Sequence, residues 1–277
     1  MNMSQKPHFV SDASQGTITS IFYEVWRSRD LLFFFTWRDF KVRYRQAVLG
    51  VIWVLLQPLL LVVVFSLVLG KYAGLSSGGY PYPLFVFCGI LPWLFFSGSL
   101  SNSSSSLIEN RQLLTKIYFP RILLPISAAL VTVFDFIIGF CIFIGLSLFY
   151  DLYPTLRLLI VPVLIIWTLI CSLSVGVLIS ALNVKYRDFQ YIVPFVLQVG
   201  FFLCPIVYST SVIPDAVKVF YFLNPMVPVI EGFRWAILGA TEVSLVNIMV
   251  SVSVTVVGCY LGIVYFKSNE RTFSDYV

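Results

Sequence analysis

The 277-residue chain is 59% hydrophobic and only 11% charged, and its mean hydropathy is +0.92. An average soluble domain is about 25% charged, so lipid is the expected solvent for most of this chain. The net charge of +5 does not indicate nucleic acid, because the basic residues form short clusters between apolar runs and no single basic face.

The N-terminal part of the chain precedes the first long apolar run. We expect residues 1–19 to form a flexible cytoplasmic terminus with no removable signal peptide. In residues 20–46, aromatic side chains recur at spacings near three, four and seven, with basic residues between them. This pattern predicts an amphipathic helix in the cytoplasmic interface. The alternative is a juxtamembrane basic cluster that only orients the first span.

Residues 47–266 form the predicted transmembrane domain, followed by a short cytoplasmic tail at 267–277. Six segments match the roughly 20 residues that cross a 30 Å hydrocarbon core. They are 47–69, 84–107, 122–149, 156–182, 191–208 and 245–266. With both termini cytoplasmic, 14 of the 18 Lys and Arg residues lie on the inner side, as the positive-inside rule requires. The sequence therefore predicts an all-α, polytopic inner-membrane protein with six transmembrane helices.

The inner loop at 108–121 mixes charged residues with large apolar ones. A loop that only had to stay soluble would not need so many apolar side chains. We predict a short helix that docks a soluble partner, and a helix resting among lipid headgroups is the alternative. The candidate docking residues are Glu109, Arg111, Leu113, Leu114, Lys116 and Tyr118.

Polar side chains inside the predicted spans are the candidates for a substrate pathway, since an unpartnered polar group in hydrocarbon costs several kcal/mol. Trp53 and Gln57 share one face of the first span, and Phe195, Gln198 and Phe202 share one face of the fifth. Hydrogen bonding between helices is the equally weighted alternative. For Asp135 in the third span we favour that alternative over proton coupling, because no histidine and no second acid accompany it.

The segment 209–243 contains two short apolar stretches separated by Asn224-Pro225. A seventh span here would bury Glu231 and Arg234, at a cost of at least about 2.5 kcal/mol for each charge. We therefore predict two short re-entrant helices on the outer side, between the fifth and sixth spans. The Glu231 and Arg234 side chains are three residues apart and can pair on one helical face.

Enzyme chemistry has little support in the sequence. Gly74-Leu75-Ser76-Ser77-Gly78 fits the G-x-S-x-G pattern but lacks its strand-then-helix context, and His8 is the only histidine. The five cysteines show no C-x-x-C spacing, and no Walker A stretch is present. We expect a non-catalytic chain without its own metal or cofactor, with ATP and Mg²⁺ bound by a partner.

An ordered set of short motifs resembles the type-2 ABC exporter permeases that export polysaccharides or polyol phosphates, including O-antigen, capsule and teichoic acid permeases. The set extends over residues 38–270. It comprises Arg43-Tyr44-Arg45, Leu49-Gly50, Trp53, Gln57-Pro58, Gly89-Ile90-Leu91-Pro92-Trp93, Phe95-Phe96, 110–114, Phe119-Pro120-Arg121, Tyr186-Arg187-Asp188, Pro205-Ile206, Tyr208, Asn224-Pro225 and Glu231-Gly232-Phe233-Arg234.

The resemblance implies a homodimer that works with two copies of a separate ATPase and moves a lipid-linked glycan across the inner membrane. It also implies that segments 21–46 and 108–121 contact the ATPase. The re-entrant segment would form an outer gate, which includes Asn224, Pro225, Glu231 and Arg234. An exporter of drugs or small lipids is the alternative within this class, and an ion-coupled carrier or channel is the alternative outside it.

Overall fold

The computed structural model describes residues 18–45, 48–153, 155–239 and 244–273. Eleven α-helices lie in these ranges, and no strand does. In chain order they are α1 (Ile18–Arg27), α2 (Arg29–Arg45), α3 (Val48–Phe65), α4 (Tyr82–Glu109), α5 (Arg111–Lys116), α6 (Leu123–Phe149), α7 (Val161–Lys185), α8 (Phe189–Leu203), α9 (Asp215–Tyr221), α10 (Met226–Ile237) and α11 (Leu245–Asn269). The predicted all-α membrane fold is confirmed.

The predicted interfacial helix consists of two helices, α1 and α2, so the expectation of one helix at 20–46 is corrected. The interruption is limited to Ser28. Backbone hydrogen bonds continue on both sides of it, since Ser28 N donates to Glu24 O and Leu32 N donates to Ser28 O. Aromatic side chains of both helices are exposed on this isolated chain, including Phe22, Trp26 and Phe33. The predicted flexible terminus at 1–19 falls almost entirely outside the described residues.

Five helical stretches have the length and composition to cross a membrane: Leu55–Tyr72, Tyr82–Glu109, Leu123–Phe149, Leu156–Lys185 and Leu245–Asn269. The first includes a π-helical end at Ser66–Tyr72, and the fourth begins with a 3₁₀ turn at Leu156–Ile160. The fifth predicted span, 191–208, corresponds to α8, whose 15 residues rise only about 22 Å. The count of six spans therefore stays a prediction.

Helix α4 is the centre of the bundle, and it packs against both α6 and α7. The contact with α7 is close: a Cβ added to Gly176 of α7 would lie only 2.7 Å from Ser103 Oγ of α4. Helix α11 packs on α7 in the same way, since a Cβ on Gly262 would lie 2.8 Å from Ser174 O. Small residues permit these short separations between helices.

The two ends of the bundle have separate hydrophobic clusters. We call the end that carries α5 the α5 end, and the opposite end, which carries α9 and α10, the far end. The α5-end cluster joins Phe35 of α2, Leu114 of α5 and Phe266 of α11. The far-end cluster joins the first half of α4 to α10 and to the bent, non-helical segment Cys204–Tyr208. Between α8 and α11, two short helices are present, as predicted for 209–243.

Candidate functional site

Helix α5 forms a small surface at one end of the bundle. Leu114 is only 5% exposed and anchors the helix, and Leu113 is half-buried. Four of the predicted docking residues are exposed: Glu109, Arg111, Lys116 and Tyr118. Charged and aromatic side chains therefore share a surface that is fixed to the bundle, which is the geometry a docking site requires.

The position of α5 is fixed by helix α2. The Asn110 side chain, at the junction of α4 and α5, donates to Ser106 O at 2.9 Å and accepts from Arg38 Nη2 at 2.7 Å. Just after α5, the Phe119 ring packs edge-on against Phe35 at 5.3 Å between centroids. A displacement of α5 would therefore be carried to α2 by one polar and one aromatic contact.

An ionic cluster joins the C-terminal end of α11 to the same region. Lys267 Nζ lies 2.7 Å from Glu24 Oε2 and 3.0 Å from Glu270 Oε2. The Arg121 backbone N donates to Glu270 Oε1 at 3.3 Å. Helices α1 and α11 and the residue Arg121 just before α6 are thus connected at the α5 end, although they are far apart in sequence.

Asp135 of α6 is paired with two residues of α2. Arg43 Nη2 lies 2.8 Å from Asp135 Oδ2, and the Tyr44 hydroxyl donates a hydrogen bond to Asp135 Oδ1. Burial, supported by that carboxylate, raises the pKa of Tyr44, which therefore remains a hydrogen-bond donor at neutral pH. These partners could not be predicted from sequence, because 91 residues separate Tyr44 from Asp135.

The Arg43–Asp135 pair lines a cavity of about 180 Å³ between α2, α3, α4 and α6. Gln57 contributes to the same lining, together with Pro58 and Thr132. The cavity thus combines the predicted pathway residue Gln57 with Asp135. The side chain of Trp53 lies outside the described residues.

The predicted pathway residues of α8 form a separate surface. Phe195 and Phe202 are 66% and 61% exposed, and Gln198 between them is also exposed. Among the described residues that line the cavity at Gln57, none comes from α8. The structure therefore places the two halves of the predicted pathway on different surfaces of one chain.

Arg234 of α10 is the central residue of the far end, where its side chain is 1% exposed. Its guanidinium donates to Ile206 O at 2.8 Å and to Tyr208 O at 3.2 Å. Its Cζ also lies 3.7 Å from the centroid of the Phe85 ring. The sequence predicted that Glu231 can pair with Arg234, and the structure adds hydrogen bonds from Arg234 to two backbone carbonyls of the bent segment Cys204–Tyr208.

The other predicted gate residues shape the turn before α10. The Asn224 side chain accepts from Met226 N at 3.0 Å, and its Nδ2 lies 3.2 Å from Cys204 Sγ. Pro225 follows at the N-terminal boundary of α10. Glu231 is 5% exposed, and its charge attracts Arg234 across one turn of the helix. The four predicted gate residues therefore lie in one region beside Cys204–Tyr208, in which Glu231 and Arg234 are buried and Asn224 and Pro225 are half-buried.

Comparison with known proteins identifies the family of this chain. The family model of the ABC-2 type transporter matches residues 30–238. The O-antigen export system permease protein RfbA of Myxococcus xanthus is 30% identical over 254 residues, which is 91% of this chain and 97% of the relative. RfbA of Klebsiella pneumoniae is 29% identical over 206 residues, 74% of this chain and 79% of the relative. The polysialic acid transport protein KpsM of Escherichia coli is 23% identical over 244 residues, 84% of this chain and 91% of the relative.

Proposed function

Because the chain belongs to the ABC-2 type transporter family, we propose that it is the permease subunit of an exporter that moves a lipid-linked polysaccharide across the inner membrane. Relatives named for O-antigen export and polysialic acid transport support this class of substrate. In the proposed orientation the α5 end is cytoplasmic, as are both termini. ATP and Mg²⁺ bind to a separate ATPase subunit.

The observation that carries the proposal is a series of side-chain contacts from α5 to the cavity at Gln57. Asn110 beside α5 contacts Arg38 near the middle of α2, and Arg43 one helical turn later pairs with Asp135. The cavity lies next to that pair. Movement imposed on α5 by an ATPase would thus rotate or shift α2 and change the cavity.

A second copy of the chain completes the proposed pathway. The α8 face that carries Phe195, Gln198 and Phe202 would be covered by this copy or by the glycan, because the Gln198 amide would otherwise be exposed to hydrocarbon. Flat aromatic rings pack on sugar C–H faces without fixing one hydrogen-bond pattern. The proposed assembly is therefore two permease chains and two ATPase chains around a glycan path.

The proposal is tested by reconstituting the chain with its ATPase in vesicles that contain a lipid-linked glycan. We expect glycan translocation that requires both subunits, and ATP hydrolysis that glycolipid stimulates more than hydrophobic drugs do. Stimulation by drugs alone would indicate the drug-exporter alternative. Translocation by the purified chain without an ATPase would contradict the proposal and indicate an ion-coupled carrier.

A further inference from the structure

A second cavity, separate from the Asp135 site, lies behind helix α10. Its volume is about 470 Å³, within the range of small-molecule sites. Its walls are the first turns of α7 and α11 and one face of α10. That face lies opposite the side of α10 on which Arg234 binds the carbonyls of Ile206 and Tyr208. Leu164, Trp167, Val229 and Ile248 are among its lining residues.

The lining of this cavity is apolar, and its rim faces the surface of the bundle. Leu245 and Ile160, which lie on the rim, are 73% and 40% exposed. Both belong to stretches long and apolar enough to cross a membrane, so the rim is in contact with lipid when the chain is inserted. An acyl chain that enters an apolar cavity open to a bilayer keeps as much apolar contact as it has among the other lipid chains.

Arg157 supplies a cation at the mouth of the cavity. Its Cζ lies 5.4 Å from the centroid of the Trp235 ring, and Trp235 lines the cavity. The guanidinium also lies over the C-terminal end of α10, where Nη1 is 2.8 Å from the position of a Cβ on Gly239. A positioned guanidinium binds phosphate through several N–H donors at once.

We propose that an anionic phospholipid of the bilayer binds behind α10, with one acyl chain in the cavity and its phosphate on Arg157. The lipid fills the space between this face of α10 and helices α7 and α11, while Arg234 holds the opposite face. Binding of this lipid does not depend on what the protein exports. The same cavity is too apolar for a sugar chain, which needs hydrogen-bond partners.

The test is native mass spectrometry of the full-length chain in detergent, incubated with equal amounts of phosphatidylglycerol and phosphatidylcholine that have identical acyl chains. We expect one phosphatidylglycerol to be retained per chain. Ile248→Trp, which fills the cavity and excludes the acyl chain by overpacking, reduces retention about tenfold. Val256→Trp, on the exposed surface of the same helix, leaves retention unchanged.

A second pair of variants tests the headgroup. Arg157→Gln lowers the preference for phosphatidylglycerol over phosphatidylcholine about fivefold, the effect of one basic residue on an anionic lipid. Lys71→Gln, which removes another exposed cation at the far end, leaves the preference intact. Equal retention by Ile248→Trp and Val256→Trp, or an equal preference in Arg157→Gln and the parent chain, overturns the proposal.

A third measurement uses the parent chain, so that its outcome does not depend on whether a variant folds. In the parent chain, phosphatidylglycerol brominated on its acyl chain quenches tryptophan fluorescence more than brominated phosphatidylcholine does. Trp167→Phe reduces this difference, because Trp167 lines the cavity. Equal quenching by the two lipids in the parent chain contradicts the proposed site. Retention of a polyprenyl-linked glycan in place of the phospholipid contradicts it as well.

Discussion

The two ends of this molecule are held together by different kinds of polar contact. At the α5 end, side chains pair with side chains, and the pairs are partly exposed: in Lys267–Glu24 the two side chains are 19% and 27% exposed. At the far end, the single guanidinium of Arg234 is 1% exposed and bonds to backbone carbonyls.

This difference indicates what each end can do. A partly hydrated ion pair contributes only about 0–1 kcal/mol and can exchange partners with water, so helices joined by such pairs can move relative to one another. A buried arginine that satisfies carbonyls cannot leave without exposing them to hydrocarbon. The α5 end is therefore suited to movement, and the far end holds an irregular segment in place. Four predictions test this comparison, in order of decreasing expected loss of folding free energy.

Replacing Arg234 should produce the largest loss. Arg234→Met leaves the carbonyls of Ile206 and Tyr208 without donors, and we expect a destabilisation of about 3 kcal/mol. The measurement is the midpoint of thermal unfolding of the purified chain. Arg29→Met is the control, because Arg29 is an exposed arginine of α2. Equal midpoints for the two variants would show that the far end does not depend on this guanidinium.

Gly89 of α4 tests the same region through packing. A Cβ at this position would lie 2.6 Å from Ile206 O and 2.9 Å from Ile206 Cα, both of which are backbone atoms. Gly89→Ala should therefore separate α4 from the Cys204–Tyr208 segment and cost about 1–3 kcal/mol.

The matched control for Gly89 is a helical glycine in open space. A Cβ on Gly145 of α6 would have nothing within 4 Å. Gly145→Ala should stabilise the chain slightly, by about 0.5–1 kcal/mol, because alanine has the better helix propensity. Thermal unfolding of both variants decides the sign, and a stable Gly89→Ala variant would contradict the close approach at Ile206.

The Arg43–Asp135 pair should affect coupling more than stability. We expect Asp135→Asn to cost about 1 kcal/mol in folding free energy, because the asparagine oxygen still accepts a hydrogen bond from Tyr44. ATP hydrolysis by the assembled exporter should continue, while glycan translocation per ATP falls. Arg45→Gln serves as the control, since Arg45 is an exposed neighbour on the same helix. An Arg43→Asp, Asp135→Arg double variant that recovers translocation would confirm that the pair itself carries the effect.

Tyr118 should give the smallest change in stability and a clear change in assembly. Its side chain is 74% exposed, so Tyr118→Ala should shift the folding free energy by less than about 0.5 kcal/mol. Co-purification with the ATPase should nevertheless fall. Tyr72→Ala is the matched control, because Tyr72 is 81% exposed at the far end. Equal ATPase recovery with both variants would contradict docking at α5.

Much of the fold could be predicted from sequence because hydropathy is a local property. The apolar runs at 84–107, 122–149 and 245–266 correspond closely to α4, α6 and α11. The two short helices before α11 could be predicted as well, because two charges and Asn224-Pro225 oppose a seventh span. The length of α8 could not, since residues 204–208 are apolar like the helix before them yet form a bent, non-helical segment.

The candidate site, too, could be predicted from sequence only in part. The sequence identified Leu114, Gln57 and Arg234 as residues of interest, from their chemistry and their position relative to the spans. It could not assign their partners, because Arg38 and Asn110, or Tyr44 and Asp135, meet only when helices far apart in the chain become neighbours.

By itself, the sequence determined that this protein is a helical membrane protein, where most of its spans lie, and which family it resembles. Each of these follows from residue types read over windows of about 20 residues or from short ordered motifs. The tertiary structure decided that Asp135 is neutralised by α2 and that Arg234 stabilises backbone carbonyls. Such pairings depend on which helices adjoin and on which polar groups are left buried together, and those are properties of the packed bundle.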